Sequence, residues 1–254
     1  MNLFEAILLG ILQGFTEFLP VSSSGHLVLA EHLLGVTVPG LSFEVVVHLG
    51  SLCSILIVFR KDLLDLLQSL DTKQTQHFIL IIIVGTIPAV LIGLLFKGWF
   101  ESAFDNIMLV AGALLFTGFT LIITRFAKPR GIELTIPIGL AIGIAQSMAI
   151  TPGISRSGIT IATALFLGIA GPTAARFSFL LAIPAIIGAG FLTGLDLYST
   201  GFSEILTLSM IVAFFSSLLV GIIALKWLMK TLRSGQFHWF GVYCLLIGLV
   251  TLIG

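Results

Sequence analysis

The sequence predicts an all-α integral membrane protein with six transmembrane helices plus two re-entrant helix pairs in an inverted-topology repeat. Three observations lead to this prediction: an apolar composition, two apolar regions interrupted by Pro, Gly and Ser, and a set of positions that recurs along the chain. Hydrophobic residues make up 57% of the 254 positions and charged residues 9%, against about 25% charged in a soluble domain. Such a chain must use lipid as part of its solvent. Its zero net charge, without a basic patch, predicts no nucleic-acid partner.

Six apolar stretches are long enough to cross the bilayer, because each approaches the ~20 residues that span a ~30 Å hydrocarbon core. They are residues 43–59, 78–96, 107–124, 177–197, 205–225 and 240–253. The N-terminal segment carries Glu5 and Glu17 and has no Lys or Arg before Arg60. A cleaved signal peptide needs a basic n-region, so we expect this segment to remain in the mature protein.

Two further apolar regions, residues 1–34 and 135–168, are broken in the middle by Pro, Gly and several Ser. Irregular backbone at membrane depth survives only where protein or a water-filled cavity satisfies its polar groups. We therefore predict that each region is a pair of half-helices meeting at a buried turn.

An internal repeat relates these two regions, with six positions recurring at an offset of 133 residues. They are Gly10, Gln13, Ser22, Ser24, Gly25 and Gly35, which recur as Gly143, Gln146, Ser155, Ser157, Gly158 and Gly168. Coincidence is the alternative, since Gly is abundant. The repeat predicts one polytopic domain over residues 1–254, with a first repeat of about 1–125 and a second of about 135–254. Interrupted helices of inverted repeats typically meet near the bilayer midplane and form the site there.

The basic residues predict the orientation in the membrane. They concentrate in three loops, near residues 60–73, 125–130 and 226–233, which fall on one face if six spans alternate sides. By the positive-inside rule this face is cytoplasmic, so both termini and the loops near 97–105 and 196–204 are external. A probe at Ser199 is then expected to be accessible from outside.

The first interruption carries polar groups suited to phosphate chemistry. Gln13 and Glu17 are four residues apart, which places both on one helical face. Pro20 ends that half-helix, and the Ser-Gly run can start the next one with free N–H groups, a natural anion site. Glu17 is costly in an apolar segment and is therefore a functional candidate, the alternative being a carboxylate that lines a water cavity. The run itself consists of Ser22, Ser23, Ser24, Gly25 and then His26, which titrates in a useful range.

The second interruption, residues 151–158, places a cation instead of a carboxylate within an apolar region. Arg156 offers a planar fork for phosphate oxygens, flanked by the hydroxyls of Ser155 and Ser157 and followed by Gly158. An internal ion pair between Arg156 and Glu17 is the structural alternative, and it too would join the two loops. The combined set predicts a phosphoryl-transfer pocket, with a positive field for the diphosphate and a base.

Other polar residues are weaker candidates. Glu44 and His48 share a helical face. They either line the pocket or are polar residues with a structural role, and the sequence supports both interpretations equally. Arg176 is interpreted as an anchor at the membrane boundary. Cys53 and Cys244 lie far apart in apolar stretches and are interpreted as core packing.

The two interrupted motifs, QGFTEFLPVSSSGH at residues 13–26 and PGISRSG at 152–158, resemble the undecaprenyl-diphosphate phosphatase family of the BacA type. The similarity continues through FEVVVHLGS at 43–51, IPAVLIGLLF at 87–96 and FSFLLAIPAIIGA at 177–189. It implies hydrolysis of undecaprenyl diphosphate to undecaprenyl phosphate on the outer side of the bacterial plasma membrane. This activity recycles the lipid carrier for cell-wall synthesis, and it confers bacitracin resistance because bacitracin sequesters the diphosphate.

The resemblance also assigns roles to residues. It implies that Glu17, Ser23, His26 and Arg156 are catalytic. The implied substrate-binding residues are Gln13, Ser22, Ser24, Gly25, Ser155, Ser157 and Gly158. The first position of the family's acidic motif is Glu or Gln, and here the neutral Gln13 leaves Glu17 as the essential carboxylate. Mg²⁺ or Ca²⁺ is expected to accompany the diphosphate, although no soft-metal ligand cluster is present in the sequence.

Two questions stay open at the level of sequence. The nucleophile is Ser23 in a phosphoseryl route, or a water molecule activated by Glu17 or His26 in a direct route. The function is that of a phosphatase or, as the alternative, a transporter or flippase of polyprenyl phosphate or another anion, because broken helices in inverted repeats also build transporters. The preferred prenyl length and the oligomeric state are open, with a homodimer among the options.

Overall fold

The computed structural model describes residues 1–34, 40–200 and 207–253, and all regular structure in these ranges is helical. The predicted repeat position Gly35 and the loop position Glu204 lie outside the described residues, as does the side chain of Ser199. The helices are α1 Leu3–Phe18, α2 Ser23–Leu34, α3 Gly40–Val58, α4 Arg60–Gln68, α5 Lys73–Leu95, α6 Lys97–Phe104, α7 Ile107–Ile123, α8 Ile136–Met148, α9 Arg156–Phe166, α10 Gly171–Thr200, α11 Leu208–Arg233 and α12 Trp239–Ile253.

Four of the described helices are long and apolar enough to cross a membrane: Lys73–Leu95, Ile107–Phe126, Gly171–Gly194 and Leu208–Arg233. Residues 43–58 and 60–68 form a fifth candidate span that bends by 67°. The protein is therefore a multi-pass membrane protein, with four or five candidate spans in the part of the chain that the structure describes. The predicted span 240–253 forms a helix of 15 residues, short of the usual ~20 residues.

Capping side chains mark the starts of α1 and α5, and α5 begins earlier than the apolar pattern predicted. The Asn2 side chain accepts from the N–H of Glu5 at 2.9 Å while the Glu5 carboxylate accepts from the N–H of Asn2 at 2.8 Å, which is a capping box. The Thr72 hydroxyl accepts from the N–H of Thr75, so α5 starts before the apolar stretch at 78.

Two connections predicted as loops are short helices instead. Residues 60–68 form α4, in which Leu63 and Leu66 pack against the core while Lys61 stays exposed. This spacing of three residues is typical of an amphipathic helix. The average hydropathy of the segment does not detect it, because that average includes the charged residues on the other face. Residues 97–104 form α6, whose Phe100 and Ala103 are buried with the same spacing.

Both broken regions form two helices with an irregular turn between them, and glycines pack their first helices into the protein. A Cβ on Gly10 would lie 2.6 Å from the carbonyl oxygen of Ala213, so only glycine permits this contact between α1 and α11. Gly139 and Gly143 allow the equally close contact of α8 with α5. As a result, the turn at residues 19–22 and the turn at 149–155 lie next to each other inside the helical bundle.

Candidate active site

Ser22 connects the first turn to the second. Its φ angle is +70°, a left-handed conformation that reverses the chain after α1. Its hydroxyl oxygen accepts from the N–H of Gly153 at 3.1 Å and from the N–H of Gly25 at 3.4 Å. Because Ser22 and Gly153 belong to different turns, this hydroxyl fixes their distance.

The second turn is held by a buried threonine on α7. Thr117 donates its hydroxyl to the carbonyl of Gly153 at 2.9 Å and accepts from the N–H of Ser155 at 3.1 Å. Gly153 has φ +96°, and a Cβ on Gly25 would lie 3.0 Å from the Gly153 Cα. The two glycines therefore let the backbones of the two turns touch.

The serines around Arg156 satisfy the start of α9. The Ser155 hydroxyl accepts from the N–H of Gly158 at 3.1 Å, an N-cap, and the Ser157 hydroxyl donates to the carbonyl of Leu19 at 3.3 Å. Ser155 and Ser157 are each 1% exposed, and both hydroxyls make hydrogen bonds within the protein.

The Glu17 carboxylate contacts side chains that follow each of the two turns. Its Oε2 accepts from the Ser23 hydroxyl at 2.6 Å and from the Gln13 amide at 3.1 Å. Its Oε1 forms an ion pair with Nη2 of Arg156. The ion pair that the sequence left as the structural alternative is therefore present, and it places the predicted base, hydroxyl and cation within direct contact.

Arg156 keeps part of its hydrogen-bonding capacity unused. Its Nη2 contacts Glu17, but its buried Nη1 has no hydrogen-bond partner among the described residues. A buried guanidinium with an unsatisfied N–H is costly for the protein alone and suits a ligand that brings anionic oxygens. Arg156 is also the first residue of α9, where the partial positive charge of the helix adds to its own.

A cavity of about 300 Å³ opens over these groups. Its polar lining includes Glu17, Ser22, Ser23, Ser24, Glu44, His48, Ser155 and Arg156. Its apolar lining includes Leu27, Val45, Phe104, Ala149, Ile150, Ile154, Ala185, Ile186 and Ala189. The cavity therefore has a polar end, which contains Arg156, and an apolar wall. Four of the predicted substrate-binding residues do not line it: Gln13, Gly25, Ser157 and Gly158.

A larger cavity, of about 600 Å³, lies elsewhere, between α4, the start of α5 and residues 131–134. Its one arginine, Arg176, forms an ion pair with Asp62 at 2.6 Å and stacks its cation over Phe78. None of the predicted site residues lines this cavity, so its size does not indicate the chemistry.

His26 lies outside the cavity lining. Its Nδ1 donates to the carbonyl of Ser22 at 2.8 Å, and its Nε2 lies 2.9 Å from the hydroxyl of Tyr243 on α12. The ring is 7% exposed and parallel to the Tyr243 ring. The structure therefore places this predicted catalytic residue behind the first turn, in contact with Tyr243 of α12.

Two of the supporting residues gave little signal in the sequence. Thr117 is one hydroxyl in an apolar span, and Tyr243 lies far along the chain from the residue it contacts. His48 was detectable from its spacing to Glu44, and the structure places both in the cavity lining. No group of three or more His, Cys, Asp or Glu residues suited to a metal occurs in the part of the chain that the structure describes.

Comparison with known proteins gives a consistent result over the whole chain. The profile of a family described as bacitracin resistance protein BacA matches residues 6–250. An undecaprenyl-diphosphatase of Desulforapulum autotrophicum is 42% identical over 275 residues, covering 100% of this chain and 98% of the relative. One of Desulfosudis oleivorans is 43% identical over 271 residues, covering 99% and 98%. One of Halothermothrix orenii is 40% identical over 256 residues, covering 100% and 98%.

Proposed function

The chain belongs to the BacA family of bacitracin resistance proteins, and from this premise we propose that it is a membrane undecaprenyl-diphosphatase. It hydrolyses undecaprenyl diphosphate to undecaprenyl phosphate and inorganic phosphate. One observation carries the proposal: a single carboxylate, Glu17, contacts both the Ser23 hydroxyl and the Arg156 guanidinium at the end of a cavity. Glu17 is the proposed base, Ser23 the proposed nucleophile and Arg156 the proposed anion-binding cation, and Glu17 contacts both of the others.

Ser23 is the proposed nucleophile. Its hydroxyl lies 2.6 Å from Glu17 Oε2, within the distance a general base requires, and its side chain lines the cavity. Attack on the terminal phosphorus breaks the bond to the bridging oxygen, so undecaprenyl phosphate leaves and phosphoserine forms. Water then hydrolyses the phosphoserine.

The diphosphate itself is proposed to activate the base. In the free protein Arg156 neutralises Glu17, which weakens that carboxylate as a proton acceptor. Phosphate oxygens compete for the same guanidinium, whose Nη1 lacks a partner among the described residues. When Arg156 turns to the phosphate, Glu17 loses its counterion and accepts the Ser23 proton more readily.

The ends of two helices complete the phosphate site. Helices α2 and α9 begin at Ser23 and Arg156, and the cavity is lined by these residues and their neighbours. Both N-termini therefore direct N–H groups and positive partial charge to one place. The apolar lining from α10, including Ala185, Ile186 and Ala189, is proposed to hold the first prenyl units.

A divalent cation fits this site as a companion of the substrate. Mg²⁺ and Ca²⁺ take oxygen ligands, and Mg²⁺ is often held by one or two carboxylates together with substrate phosphates. The described residues form no cluster of three or more His, Cys, Asp or Glu, so most ligands of such an ion would be oxygens of the substrate and of water. A bound ion would neutralise phosphate charge. Activity measured with and without chelator tests this assignment.

We also propose the finer topology: six crossings, two re-entrant pairs in an inverted repeat, both termini outside the inner membrane and the cavity open to the periplasm. The reciprocal contacts of α1 with α11 and of α8 with α5, both through glycines, support the repeat. Single cysteines at Glu101 and Gln236, in a background without Cys53 and Cys244, test it. Reagent added outside whole cells should label position 101 and spare 236, and the reverse pattern would overturn the orientation.

The proposed activity supplies undecaprenyl phosphate for peptidoglycan synthesis and removes the diphosphate that bacitracin binds. Cells overproducing the protein should therefore tolerate more bacitracin than cells producing Glu17→Gln. The homodimer stays a prediction, checked by light scattering of the detergent-solubilised protein.

Release of phosphate from undecaprenyl diphosphate by the purified protein in detergent is the decisive experiment. A phosphatase liberates one phosphate per substrate, whereas a transporter or flippase liberates none. Glu17→Gln is the matched control, because it keeps the shape of the side chain and removes the base. A wild-type preparation that binds substrate but releases no phosphate would overturn the proposed function.

A further inference from the structure

His48 on α3 is the imidazole that faces the reacting groups. Its Nε2 lies 3.6 Å from Glu17 Oε2, the same oxygen that accepts the Ser23 hydroxyl. The His48 side chain is 32% exposed and lines the cavity, whereas the Glu17 side chain is 5% exposed. His48 therefore lies between the buried carboxylate and the open part of the cavity.

A backbone carbonyl fixes which nitrogen of His48 carries hydrogen. Nδ1 lies 2.7 Å from the carbonyl oxygen of Glu44, and a carbonyl only accepts, so Nδ1 is the donor. In the neutral ring Nε2 then holds a lone pair, 3.6 Å from Oε2 of the Glu17 carboxylate. That arrangement is poor for an ionised carboxylate and suitable for a protonated one, since the proton can pass to Nε2.

The proposed reaction needs such a path. Hydrolysis of a fully ionised diphosphate into two phosphates, one monoprotonated, liberates a proton. That proton first reaches Glu17, which Ser23, Gln13 and Arg156 surround. Unless it leaves, Glu17 cannot act as base when water attacks the phosphoserine.

We propose that His48 is the proton relay of this phosphatase, an assignment that rests on the proposed function. In the first step Ser23 Oγ bonds to phosphorus, the bridging P–O bond breaks with its electron pair leaving on undecaprenyl phosphate, and the hydroxyl proton moves to Glu17 Oε2. The proton then moves to His48 Nε2 and from there to water in the cavity. In the second step Glu17 takes a proton from the attacking water and returns it to Ser23 Oγ as that oxygen leaves phosphorus.

The charges around His48 are few and identifiable. The titratable residues that line the cavity with it are Glu17 from α1, Glu44 from α3 and Arg156 from α9. The cavity-lining residues of α10 are uncharged. His26, which contacts Tyr243 behind the first turn, does not line the cavity.

The test compares kcat, KM and the response to imidazole in two variants. His48→Asn retains a donor near the Glu44 carbonyl but has no group that can take a proton. We expect kcat to fall by about 100-fold and KM to change by less than about threefold. His48→Ala should be equally slow, and added imidazole should restore much of its rate.

The matched control is His77→Ala, because His77 lies at the other cavity and outside this site. It should turn over like wild type and show no response to imidazole. A His48→Asn variant within about threefold of wild type, or a slow His48→Ala variant that imidazole does not accelerate, would overturn the relay. Neither result affects the proposed function, which fails only if wild-type protein releases no phosphate.

Discussion

The first turn, residues 19–22 with the start of α2, and the second turn, residues 149–155 with the start of α9, share a scaffold and differ in chemistry. In each, a serine accepts from the N–H three residues later: Ser22 from Gly25 at 3.4 Å, and Ser155 from Gly158 at 3.1 Å. In each, the residue after that serine contacts Glu17. That residue is Ser23 in the first turn and Arg156 in the second.

The comparison shows that similar backbone turns present different side chains, a hydroxyl in one and a guanidinium in the other, to the same carboxylate, Glu17. At the same offset of 133 residues, Glu17 corresponds to Ile150, so the second turn has no base of its own. The first turn has no cation of its own, since its counterpart of Arg156 is Ser23. Neither turn alone holds the carboxylate, the hydroxyl and the guanidinium, and the bond from Gly153 to Ser22 helps to hold the two turns together.

Replacing the reacting residue of the first turn should have the largest effect. Ser23→Ala is expected to lower kcat by about 10⁴-fold or more, the order seen when a nucleophile is removed from a unit that acts together. Substrate should still bind, because Arg156 and both helix N-termini remain. Rapid quench of wild type with substrate labelled in the terminal phosphate should trap label on the protein.

Ser24→Ala is the matched control for Ser23→Ala. Ser24 lines the same cavity one residue later, but its hydroxyl lies near Ser22 instead of Glu17. It should keep more than about a tenth of the rate, a loss under ~1.4 kcal/mol. If Ser23→Ala keeps that much and no label is trapped, direct attack by water on the diphosphate is the better account.

The sequence predicted the parts of the site that depend on local spacing. Gln13 and Glu17 share a face because they are four residues apart in a helix, and the structure confirms their contact. Pro20 and the following serines predicted the break after Phe18. Local rules were sufficient here because each of these features involves residues within one or two turns of each other.

Features that depend on contacts between distant segments could not be predicted in the same way. The sequence predicted a catalytic role for His26 and left His48 as either a pocket residue or a structural one, but only the packing of α12 shows that Tyr243 engages His26. The last predicted span, residues 240–253, raises a related point, since it lies in the 15-residue helix α12, Trp239–Ile253, which packs against α7. Hydropathy records how apolar a segment is and carries no information about its neighbours.

Changing the cation of the second turn should have the next largest effect. Arg156→Lys keeps the charge, but a point ammonium cannot make two parallel contacts to phosphate while a guanidinium can. We expect a loss of about 10²–10³-fold in kcat/KM, or roughly 2.7–4 kcal/mol, as for other preorganised donors. A correctly folded Lys variant with near-normal turnover would remove Arg156 from its role.

The two buried glutamines give a smaller, more selective comparison. Gln13 of α1 donates to Glu17, while Gln146, at the corresponding position of α8, has no side-chain partner among the described residues. Gln13→Leu should lower kcat about tenfold, because one hydrogen bond to a charged group is worth ~1.5–3 kcal/mol. Gln146→Leu should leave kcat within about twofold and raise the melting temperature in detergent. Equal effects of the two changes would show that Gln13 does not position the base.

The smallest expected effect concerns the serines that build the scaffold. Ser155→Ala removes an N-cap and should lower the free energy of unfolding by ~1 kcal/mol. Ser22→Ala should cost about twice as much, because the Ser22 hydroxyl accepts from Gly25 and also from Gly153 across the two turns. Ser155 either binds substrate or stabilises the scaffold. Measuring the melting temperature and KM of both variants in the same detergent distinguishes these two roles. If Ser155→Ala raises KM tenfold at unchanged melting temperature, its hydroxyl binds substrate. A lower melting temperature with KM changed by less than about threefold assigns it to the scaffold, leaving Arg156 as the residue through which the second turn acts.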